Sequence, residues 1–525
     1  MAEAPAQQAD QQASQTPRYP TLPQRAVAQR AKTQPDEPAI ISAAGDRTWA
    51  ELDGRTNQLV RAMRARGIEP GQSIALVCSN RPEFAETYLA AARNGLRLTP
   101  INWHLGADEM AYIINDCDAS LLVGDERFAK VCAEAATLAP KTKVRLGIGG
   151  PIEGFEDYEA ALDGESSEPV ENEGIGTTML YTSGTTGRPK GVFRRRAAPR
   201  RAQNEAVRLH EDGDLHLCTG PLYHAAPLAF SLGLPYLWGI GVVIMDGWDP
   251  EETLRLIEKH RVTHVHLVPI MFHRLLSLPE EVRSRYDVSS LKRIGHGAAP
   301  CPVHVKKAMI EWVGPIIWEY YAATEGAGTS VESDEWLTKP GTVGKVPENH
   351  VEIRDDEGNV VPTGEVGTIY LRAPEEPETR FEYYKDTDKT SRAYSGDFFT
   401  LGDMGYVDED GYLFLTDRSA DLIISGGVNI YPAEVDAVML THPAVRDSCT
   451  IGIPNEEWGE EVMGIIELKP SFEPSDELAN ELIAYSRERL AHFKCPKSIA
   501  FDADLPRHET GKLYRRLVRE RYRGN

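Results

Sequence analysis

The chain has 525 residues, of which 41% are hydrophobic and 26% are charged. At about 150 residues per domain, this length suggests three or four domain-sized units. The 57 lysines and arginines face 80 aspartates and glutamates, and the resulting net charge of -23 would repel a polyanion at long range. We therefore do not expect nucleic acid to be the main partner.

The seven cysteines are widely spaced and include no CxxC pair, which indicates neither a disulfide framework nor a structural zinc site. The N-terminal residues contain no apolar stretch behind a basic start, and no later window approaches about eighteen uninterrupted apolar residues. These features predict a soluble, unexported protein of the reducing cytoplasm, without an integral membrane segment. Residues 1–23 are rich in Ala, Gln and Pro, and they are predicted to form a disordered tail.

The next part of the chain alternates predicted helices and strands. A helix is expected to begin at Thr48, because Glu51 three residues later completes a capping box, and to end at Gly67. Short apolar runs follow: SIALVC, ASLLVG, LHLCTG, GVVIMD, VTHVHLVP and LKRIGHG, with helical stretches between them. This pattern predicts an α/β fold with largely parallel, doubly wound sheets. Ligands of such sheets bind beyond the carboxyl ends of the strands.

The texture of the sequence changes after about residue 340. Short strands with frequent turns, such as GTIYLRA and GYLFLTDR, predict a small β-rich subdomain. The last hundred or so residues combine an amphipathic helix, in which Leu478, Leu482 and Tyr485 face inward, with short strands. We predict an N-terminal domain over 24–417 and a small, mobile α+β domain over 418–525.

The segment YTSGTTGRPKG at 181–191 is rich in hydroxyl side chains and glycines and contains Lys190. Hydroxyls, closely approaching backbone NH groups and an ammonium group are what a polyphosphate needs. The spacing of a Walker A loop is absent. We predict a phosphate-binding loop, the alternative being a flexible surface loop.

This segment resembles the signature of the adenylate-forming superfamily, which contains acyl-CoA synthetases, peptide-synthetase adenylation domains and luciferases. Six further segments match in order: YHAAP at 223–227, GHGAAP at 295–300, EYYAATEG at 319–326, TLGD at 400–403, DRSADLIISGGVNIYPAEVD at 417–436 and PRHETGKLYRR at 506–516. The resemblance covers about residues 24 to 525. It implies that a carboxylic acid and ATP form an acyl-adenylate, which then reacts with a thiol after the small domain has rotated.

The resemblance also implies roles for single residues. ATP or AMP would contact Thr182, Ser183, Gly184, Thr185, Thr186, Gly187, Lys190, Gly297, Ala298, Ala299, Glu319, Tyr320, Tyr321, Thr324, Asp403, Arg418 and Lys512. The catalytic residues would be Lys512, Glu325, Thr185 and His224, with Glu325 and Thr185 at Mg²⁺. Ser425, Gly426 and Gly427 would admit the pantetheine arm of coenzyme A.

Each of these roles has a physical reason and a plainer alternative. Lys512 would stabilise charge that develops on the α-phosphate, Glu325 supplies the hard oxygen that Mg²⁺ prefers, and Asp403 can accept both ribose hydroxyls. Without the resemblance, Lys190 would be a solvated charge, Glu325 a surface glutamate, Asp403 and Arg418 members of surface salt bridges, and the glycines a β-turn.

The chain departs from the family pattern at two informative places. Ala420 stands where the rotation hinge is usually Asp or Lys, so that Asp417 or Asp421 is the candidate substitute. FRRRAAPRR follows the phosphate loop, with arginines at 194, 195, 196, 200 and 201. These arginines would either bind the 3′-phosphate of CoA or form a solvated loop.

The acyl pocket is expected to be roomy and uncharged. The residues that we predict to line it are His224, Ala225, Ala226, Pro269, Phe272, Gly295, Ala322 and Ala323. Because YHAAP has no aspartate for an amino group and no carrier domain follows Asn525, we expect an acid–CoA ligase for a fatty, aromatic or alicyclic (steroid-type) acid. Transfer to a carrier-protein thiol and a non-catalytic nucleotide-binding protein are the alternatives, and an oligomer is possible.

Overall fold

The computed structural model describes residues 22–182, 189–196, 211, 213–355, 357–418, 421–425, 428–455, 458–507, 511 and 513–522, with the backbone alone at 327, 417, 418, 428 and 429. Several predictions fall outside this part of the chain. They concern most of the N-terminal tail, the phosphate-loop residues Ser183, Gly184, Thr185, Thr186 and Gly187, the hinge position Ala420, Gly426 and Gly427 of the CoA loop, the side chain of Arg418, and Lys512.

The helices, in chain order, are α1 (Pro23–Thr33), α2 (Trp49–Ala65), α3 (Pro82–Arg93), α4 (Ala107–Asp116), α5 (Ala129–Leu138), α6 (Tyr158–Leu162), α7 (Leu234–Leu237), α8 (Pro250–His260), α9 (Pro269–Leu276), α10 (Glu280–Arg283), α11 (Val303–Val313), α12 (Ser333–Thr338), α13 (Thr387–Ala393), α14 (Pro432–Met439), α15 (Asp476–Arg487) and α16 (Arg515–Tyr522). A π-helix covers Pro227–Gly233.

The strands, in chain order, are β1 (Pro38–Ser42), β2 (Arg47–Thr48), β3 (Ser73–Val77), β4 (Arg97–Pro100), β5 (Ala119–Asp125), β6 (Val144–Ile148), β7 (Glu156–Asp157), β8 (Thr177–Thr178), β9 (Leu180–Thr182), β10 (Lys190–Phe193), β11 (Leu215–Cys218), β12 (Gly241–Ile244), β13 (His264–Leu267), β14 (Arg293–His296), β15 (Ile317–Ala322), β16 (Ala327–Glu332), β17 (Thr342–Lys345), β18 (Val351–Arg354), β19 (Gly367–Arg372), β20 (Glu382–Tyr383), β21 (Tyr394–Ser395), β22 (Phe398–Val407), β23 (Tyr412–Arg418), β24 (Ile423–Ser425), β25 (Val428–Ile430), β26 (Val445–Asn455), β27 (Gly459–Leu468) and β28 (Ser498–Phe501).

The chain forms two compact units. Within the described residues, the first unit comprises 22–177, 211, 213–216 and 228–246, and the remaining described residues belong to the second. In the first unit, β7, β6, β5, β3 and β4 lie side by side in that order and are parallel. The capping box before α2 is confirmed, because the hydroxyl of Thr48 accepts from the backbone of Glu51 and the Glu51 carboxylate accepts from the backbone of Thr48.

The second unit contains the strands that carry most of the predicted site. β13, β14 and β15 are parallel neighbours, and β16 pairs antiparallel with β15. The turn between β15 and β16 holds Glu325, as expected for a residue beyond the end of a strand. A three-stranded antiparallel sheet has the order β20-β10-β9, and Lys190 is the first residue of its central strand β10.

The change of texture after residue 340 corresponds to a β-rich part of the second unit. Strands β17, β23, β22, β19 and β18 form an antiparallel sheet in that order, and β21 pairs with β22. Its core contains Ile353, Ile369, Leu371, Phe399 and Leu413. The predicted β-rich subdomain is therefore confirmed.

The C-terminal part is an α+β arrangement, as the sequence predicts. Strands β25, β24, β27 and β26 are antiparallel neighbours, and β28 runs parallel to β27. Leu482 of α15 is fully buried, whereas Leu478 is only partly buried against the same core. The mixed α/β fold class is thus confirmed, while the boundary at residue 417 stays a prediction. Within the described ranges, no helix is long and apolar enough to span a membrane.

Candidate active site

Strand β15 organises the candidate site, because three successive side chains leave it toward three different partners. Glu319 contacts Lys306, Tyr320 contacts His266, and Tyr321 contacts Asp403. Alternation along a strand sends neighbouring side chains to opposite faces. The sequence alone therefore left open which of the two tyrosines belongs to the nucleotide site.

Tyr321 and Asp403 form a buried pair between β15 and β22. The Tyr321 hydroxyl donates to Oδ2 of Asp403 at 2.8 Å, and the two residues are 8% and 9% exposed. A carboxylate with one oxygen engaged in this way keeps further acceptor sites. Asp403 is therefore held in a fixed orientation in which it can accept from a diol such as ribose.

Tyr320 and His266 form a second buried pair, in which the phenol oxygen and Nε2 lie 2.9 Å apart. Burial lowers the pKa of His266 to about 4, so that the imidazole is neutral at pH 7. Gly297 lies flat against the same tyrosine, since a Cβ there would stand 2.6 Å from the Tyr320 ring. Ala298 follows with φ 69°, a left-handed conformation that is uncommon for a residue with a Cβ.

Glu319 is committed to a buried ion pair. Its Oε2 accepts from the Lys306 ammonium group at 2.7 Å, and His296 Nε2 lies 3.6 Å from the same oxygen. Lys306 is fully buried, and its ammonium group lies 4.6 Å from the centre of the Trp336 ring. Burial raises the pKa of Glu319 despite the nearby ammonium group. Of the predicted nucleotide contacts, Glu319 thus has a side chain that is already engaged in the core.

The predicted phosphate loop begins and ends on paired strands. Thr182 of β9 and Lys190 of β10 are partners in the antiparallel register. The Lys190 ammonium group forms an ion pair with Asp386, which also caps α13 by accepting from the backbone of Lys389. The hydrogen bond from Lys190 lowers the pKa of Asp386. Lys190 is thus placed beside the loop with an anionic partner.

Glu325 is held in its turn by two residues from neighbouring strands. The Tyr383 hydroxyl donates to Oε1 of Glu325 at 3.0 Å. The guanidinium group of Arg194 donates to the backbone carbonyls of Thr324 and Glu325. Within the described residues no group of three His, Cys, Asp or Glu side chains is placed to hold a metal ion. A single carboxylate nevertheless suits Mg²⁺, which usually takes one or two carboxylates together with substrate phosphates and water.

A small apolar cavity lies beside β13 and α9. It is lined by Thr219, Gly220, Ala226, Pro227, His266, Leu267, Val268, Met271 and Ala298. Ala226 and Ala298 belong to the segments that the sequence places around the acyl group, while Phe272 packs in the core with its ring 5.0 Å from His296. Gly295 lies against Trp318, 2.9 Å from where a Cβ would be. The cavity is smaller than small side chains in these segments suggest, because large aromatic rings fill the space beside them.

The other predicted pocket residues lie on several different elements. The ring of His224 lies 4.3 Å from that of Tyr223, and Pro269 is the first residue of α9. Ala322 ends β15, and Ala323 closes the turn by exchanging backbone hydrogen bonds with Gly326.

The C-terminal segments expected to serve CoA and the adenylation step are described in part. Ser425 ends β24 and pairs with Val428 and Gly459. Gly511 precedes Lys512 and packs against Val268 and Ile270 so closely that a Cβ would stand 2.4 Å from Ile270 Cγ2. Arg507 donates to the carbonyl of Gly511 at 2.6 Å. The backbone just before Lys512 is thus fixed beside a cavity-lining residue.

Sequence analysis missed three contacts that shape this site. Nothing in the local pattern singled out Tyr383, His266 or Asp386, whose partners lie 58, 54 and 196 residues away in the chain. Arg194 was noted for its charge, but it lies half-buried on the Glu325 turn, whereas Arg195 and Arg196 form exposed ion pairs with Glu382 and Glu376. Only strand pairing reveals these contacts.

Comparison with known proteins identifies the family. Residues 27–376 match the model of the AMP-binding enzyme family, and residues 434–512 match that of the AMP-binding enzyme C-terminal domain. The chain belongs to the AMP-binding enzyme family. This confirms the adenylate-forming resemblance that the seven sequence motifs indicate.

Relatives of this AMP-binding enzyme align over almost its whole length. It is 32% identical to a feruloyl-CoA synthase from Amycolatopsis sp., over 94% of this chain and 97% of the relative. It is 29% identical to a fatty acid–[acyl-carrier-protein] ligase from Streptomyces coeruleorubidus, over 94% and 95% respectively. Among solved structures, o-succinylbenzoate CoA synthetase from Bacillus subtilis with its acyl-adenylate intermediate OSB-AMP has 27% identity and a TM-score of 0.77, covering 95% of this chain and 99% of that one.

Proposed function

We propose that this AMP-binding enzyme is an ATP-dependent acid–CoA ligase. The acid attacks the α-phosphate of ATP to give acyl-adenylate and pyrophosphate, and the CoA thiol then displaces AMP to give the thioester. The observation that supports this best is a continuous path of contacts around the end of β15. It runs from Lys190 through Asp386 and its helix to Tyr383 and Glu325, and then along the chain to the Tyr321–Asp403 pair.

The described residues have distinct tasks in the first half-reaction. Lys190 would exchange its partner Asp386 for the β- and γ-phosphates of ATP, because a polyphosphate carries more negative charge than one carboxylate. Asp403, fixed by Tyr321, would orient the ribose. Gly297 to Ala299 would lie along the adenine, where the bare backbone of Gly297 already packs flat on an aromatic ring.

Glu325 is the residue that would hold Mg²⁺, and its environment fits that role. Its Oε1 accepts one neutral hydrogen bond from Tyr383, which orients the carboxylate without neutralising it. When bound, Mg²⁺ would offset the negative charge of the phosphate oxygens. Lys512 would stabilise the charge that develops as the acid attacks, and Ser425 to Gly427 would guide the pantetheine arm.

The lining of the cavity suggests an acid whose acyl group is uncharged. Its lining is apolar apart from Thr219 and His266, and His266 is neutral because burial lowers its pKa to about 4. A second carboxylate or an ammonium group would lose its hydration here without gaining a counter-charge. We therefore propose a fatty, aromatic or alicyclic acid with no second charged group.

A carrier-protein thiol is the second candidate acceptor. It is favoured by one observation, the 29% identity to a fatty acid–[acyl-carrier-protein] ligase over nearly the whole chain. The site chemistry up to the acyl-adenylate is the same for both acceptors. Because ATP and CoA are cytoplasmic substrates and all seven cysteines, each within the described residues, are thiols, we propose a cytoplasmic location.

The decisive experiment measures pyrophosphate release with ATP and Mg²⁺ across aromatic, alicyclic, steroidal, short-chain and long-chain acids, each with and without CoA. Release that depends on one class of acid and turns over only with CoA supports the ligase. A single burst of pyrophosphate with or without CoA, followed by multiple turnovers when holo-carrier protein is added, supports the second candidate. The absence of pyrophosphate release with every acid contradicts both.

A variant of Lys512 separates the two half-reactions. We expect Lys512→Ala to abolish pyrophosphate release while a supplied acyl-adenylate is still thiolysed, because the ammonium group acts on the α-phosphate alone. Circular dichroism checks the fold. Equal loss of both half-reactions in a folded variant would contradict the role proposed for Lys512.

A further inference from the structure

The side chain of Arg194 binds backbone carbonyl groups, whereas the side chains of the next two arginines form ion pairs. It follows β10 directly, and its Nη2 donates at 2.9 Å to the carbonyl of Thr324 and also to the carbonyl of Glu325. It forms no ion pair within the described residues, and its side chain is half-buried on the turn. A half-buried guanidinium group whose hydrogen bonds go to backbone carbonyls fixes the backbone that it contacts.

The two arginines that follow Arg194 form exposed ion pairs. Arg195 pairs with Glu382 and Arg196 pairs with Glu376, and their side chains are 71% and 55% exposed. Both are ordinary surface ion pairs, which contribute little to stability. The half-buried position of Arg194 therefore does not follow from the charge of the FRRR segment.

Tyr383 holds the same turn from the adjacent strand. In the antiparallel pairing of β10 with β20, Val192 faces Tyr383 and Phe193 faces Glu382. Arg194 thus leaves the end of one strand to bind the backbone of Glu325, while the Tyr383 hydroxyl leaves the other strand to bind its carboxylate at 3.0 Å. Backbone and side chain of Glu325 are fixed separately by two adjacent strands.

We propose that Arg194 and Tyr383 are positioning residues that set the orientation of Glu325 toward the divalent cation of the nucleotide. This inference rests on the proposed function, in which Glu325 holds Mg²⁺. Partners that orient a metal ligand change metal affinity or activity by about 10- to 100-fold when they are removed. The hydrogen bonds of Arg194 also link Glu325 to the end of β10, the strand that carries Lys190. The proposed metal ligand and the proposed phosphate-binding lysine are therefore both held by this strand.

The backbone of the turn has hydrogen bonds of its own, to which Arg194 adds two. Ala323 and Gly326 close it with two backbone hydrogen bonds of 2.8 and 3.2 Å, and glycine adds conformational freedom. The carbonyls of Thr324 and Glu325 both accept from one guanidinium group, which prevents the intervening peptide from rotating. Arg194 thereby acts on the backbone and leaves the carboxylate available.

The test compares Arg194→Met and Tyr383→Phe with Arg195→Ala and Arg196→Ala. The two controls each remove one positive charge from the same segment but break only an exposed ion pair. The first readout is Mn²⁺ affinity in the presence of a non-hydrolysable ATP analogue, measured by electron paramagnetic resonance. The second is the Mg²⁺ concentration that half-saturates acid-dependent pyrophosphate exchange, together with KM for the acid and for CoA.

We expect both Arg194→Met and Tyr383→Phe to weaken Mn²⁺ binding about 10- to 100-fold and to raise the half-saturating Mg²⁺ in parallel. KM for the acid and for CoA stays within about threefold in Arg194→Met and Tyr383→Phe, and the two controls match the wild type in Mn²⁺ affinity and in half-saturating Mg²⁺. Unchanged Mn²⁺ affinity in folded variants overturns the proposal, as does a defect confined to CoA, which would assign Arg194 to the 3′-phosphate instead.

Two features keep the result interpretable. Tyr383→Phe removes a single hydroxyl and retains the ring, so it decides the matter if Arg194→Met fails to fold. If Glu325→Gln binds Mn²⁺ in the presence of the ATP analogue as tightly as the wild type does, the proposed metal role of Glu325 fails. That outcome differs from one in which Glu325→Gln loses Mn²⁺ while Arg194→Met retains it, which refutes the positioning role alone.

Discussion

The hydroxyl of Tyr321 donates a 2.8 Å hydrogen bond to Oδ2 of Asp403, which lies 82 residues further along the chain, and both residues are largely buried. It joins the end of strand β15 to strand β22 of the β-rich part. This one contact brings together two segments that are separate motifs in the sequence, and we propose that both serve the ribose.

The first prediction concerns that hydroxyl. Tyr321→Phe keeps the ring but removes the donor to Asp403, and hydrogen bonds to charged groups contribute about 1.5–3 kcal/mol. We expect ATP affinity to fall by roughly 10- to 100-fold, since about 1.4 kcal/mol corresponds to a factor of ten. Isothermal titration with a non-hydrolysable ATP analogue measures the change.

Tyr320→Phe is the matched control, because its hydroxyl contacts His266 at 2.9 Å rather than Asp403. This variant is expected to retain ATP affinity and to change KM for the acid, since His266 lines the cavity. If the two variants lost ATP affinity equally, the loss would not depend on the hydrogen bond from Tyr321 to Asp403.

A second prediction concerns stability. Lys306→Met leaves the Glu319 carboxylate buried without its partner, and breaking a buried ion pair costs about 3–5 kcal/mol. The double variant Lys306→Met/Glu319→Gln removes the uncompensated charge and is expected to recover most of that loss. Urea unfolding followed by tryptophan fluorescence measures both. A single variant as stable as the wild type would show that the pair contributes nothing.

The sequence predicted those parts of the fold that depend on local signals. The capping box at Thr48 and Glu51 formed as expected, since its partners are three residues apart. Periodicity also predicted the parallel strands and the β-rich part, because each pattern repeats within one element.

Long-range partners were beyond that reach. The order of Glu319, Tyr320 and Tyr321 was visible in the sequence, but the destination of each side chain depends on which strands become neighbours. Arg194 shows the same limit, because its two carbonyl partners lie 130 and 131 residues away. The roles of Lys512, Gly427 and the phosphate loop stay predictions that rest on the family resemblance.

A third prediction follows from the burial of His266. Its pKa is lowered from 6.5 to about 4 in the folded protein, so between these values the unfolded chain binds a proton that the folded chain does not. The contribution of His266 to the free energy of unfolding should therefore be complete above pH 6.5. It should be lost as the pH drops toward 4, which lowers the free energy of unfolding by up to roughly 3 kcal/mol. His296, whose pKa is also lowered by burial, adds a contribution of the same sign.

The comparison with His266→Gln isolates the His266 contribution. Glutamine retains a hydrogen-bonding group near Tyr320 but does not titrate in this range. We expect its unfolding free energy to depend less steeply on pH between 7 and 4.5 than that of the wild type, as measured by urea unfolding at each pH. Parallel slopes for the two proteins would exclude a neutral, buried His266.

The last prediction concerns Gly511, which immediately precedes Lys512. It has φ +75°, and a Cβ would lie 2.4 Å from Ile270 Cγ2 and 2.8 Å from Val268 Cγ2. Gly511→Ala must therefore push the segment that carries Lys512 away from α9. Because displacement of a catalytic group by 1 Å can cost about a hundredfold, we expect acid-dependent pyrophosphate release to fall by that order while thiolysis of a supplied acyl-adenylate changes little. Gly314→Ala is the control for substitution of a glycine with positive φ, since Gly314 has φ +85° but no atom within 4 Å of the added methyl group, so that it introduces backbone strain without the collision. Equal losses in the two variants would attribute the effect to strain, and equal losses in both half-reactions of Gly511→Ala would detach this contact from the adenylation step.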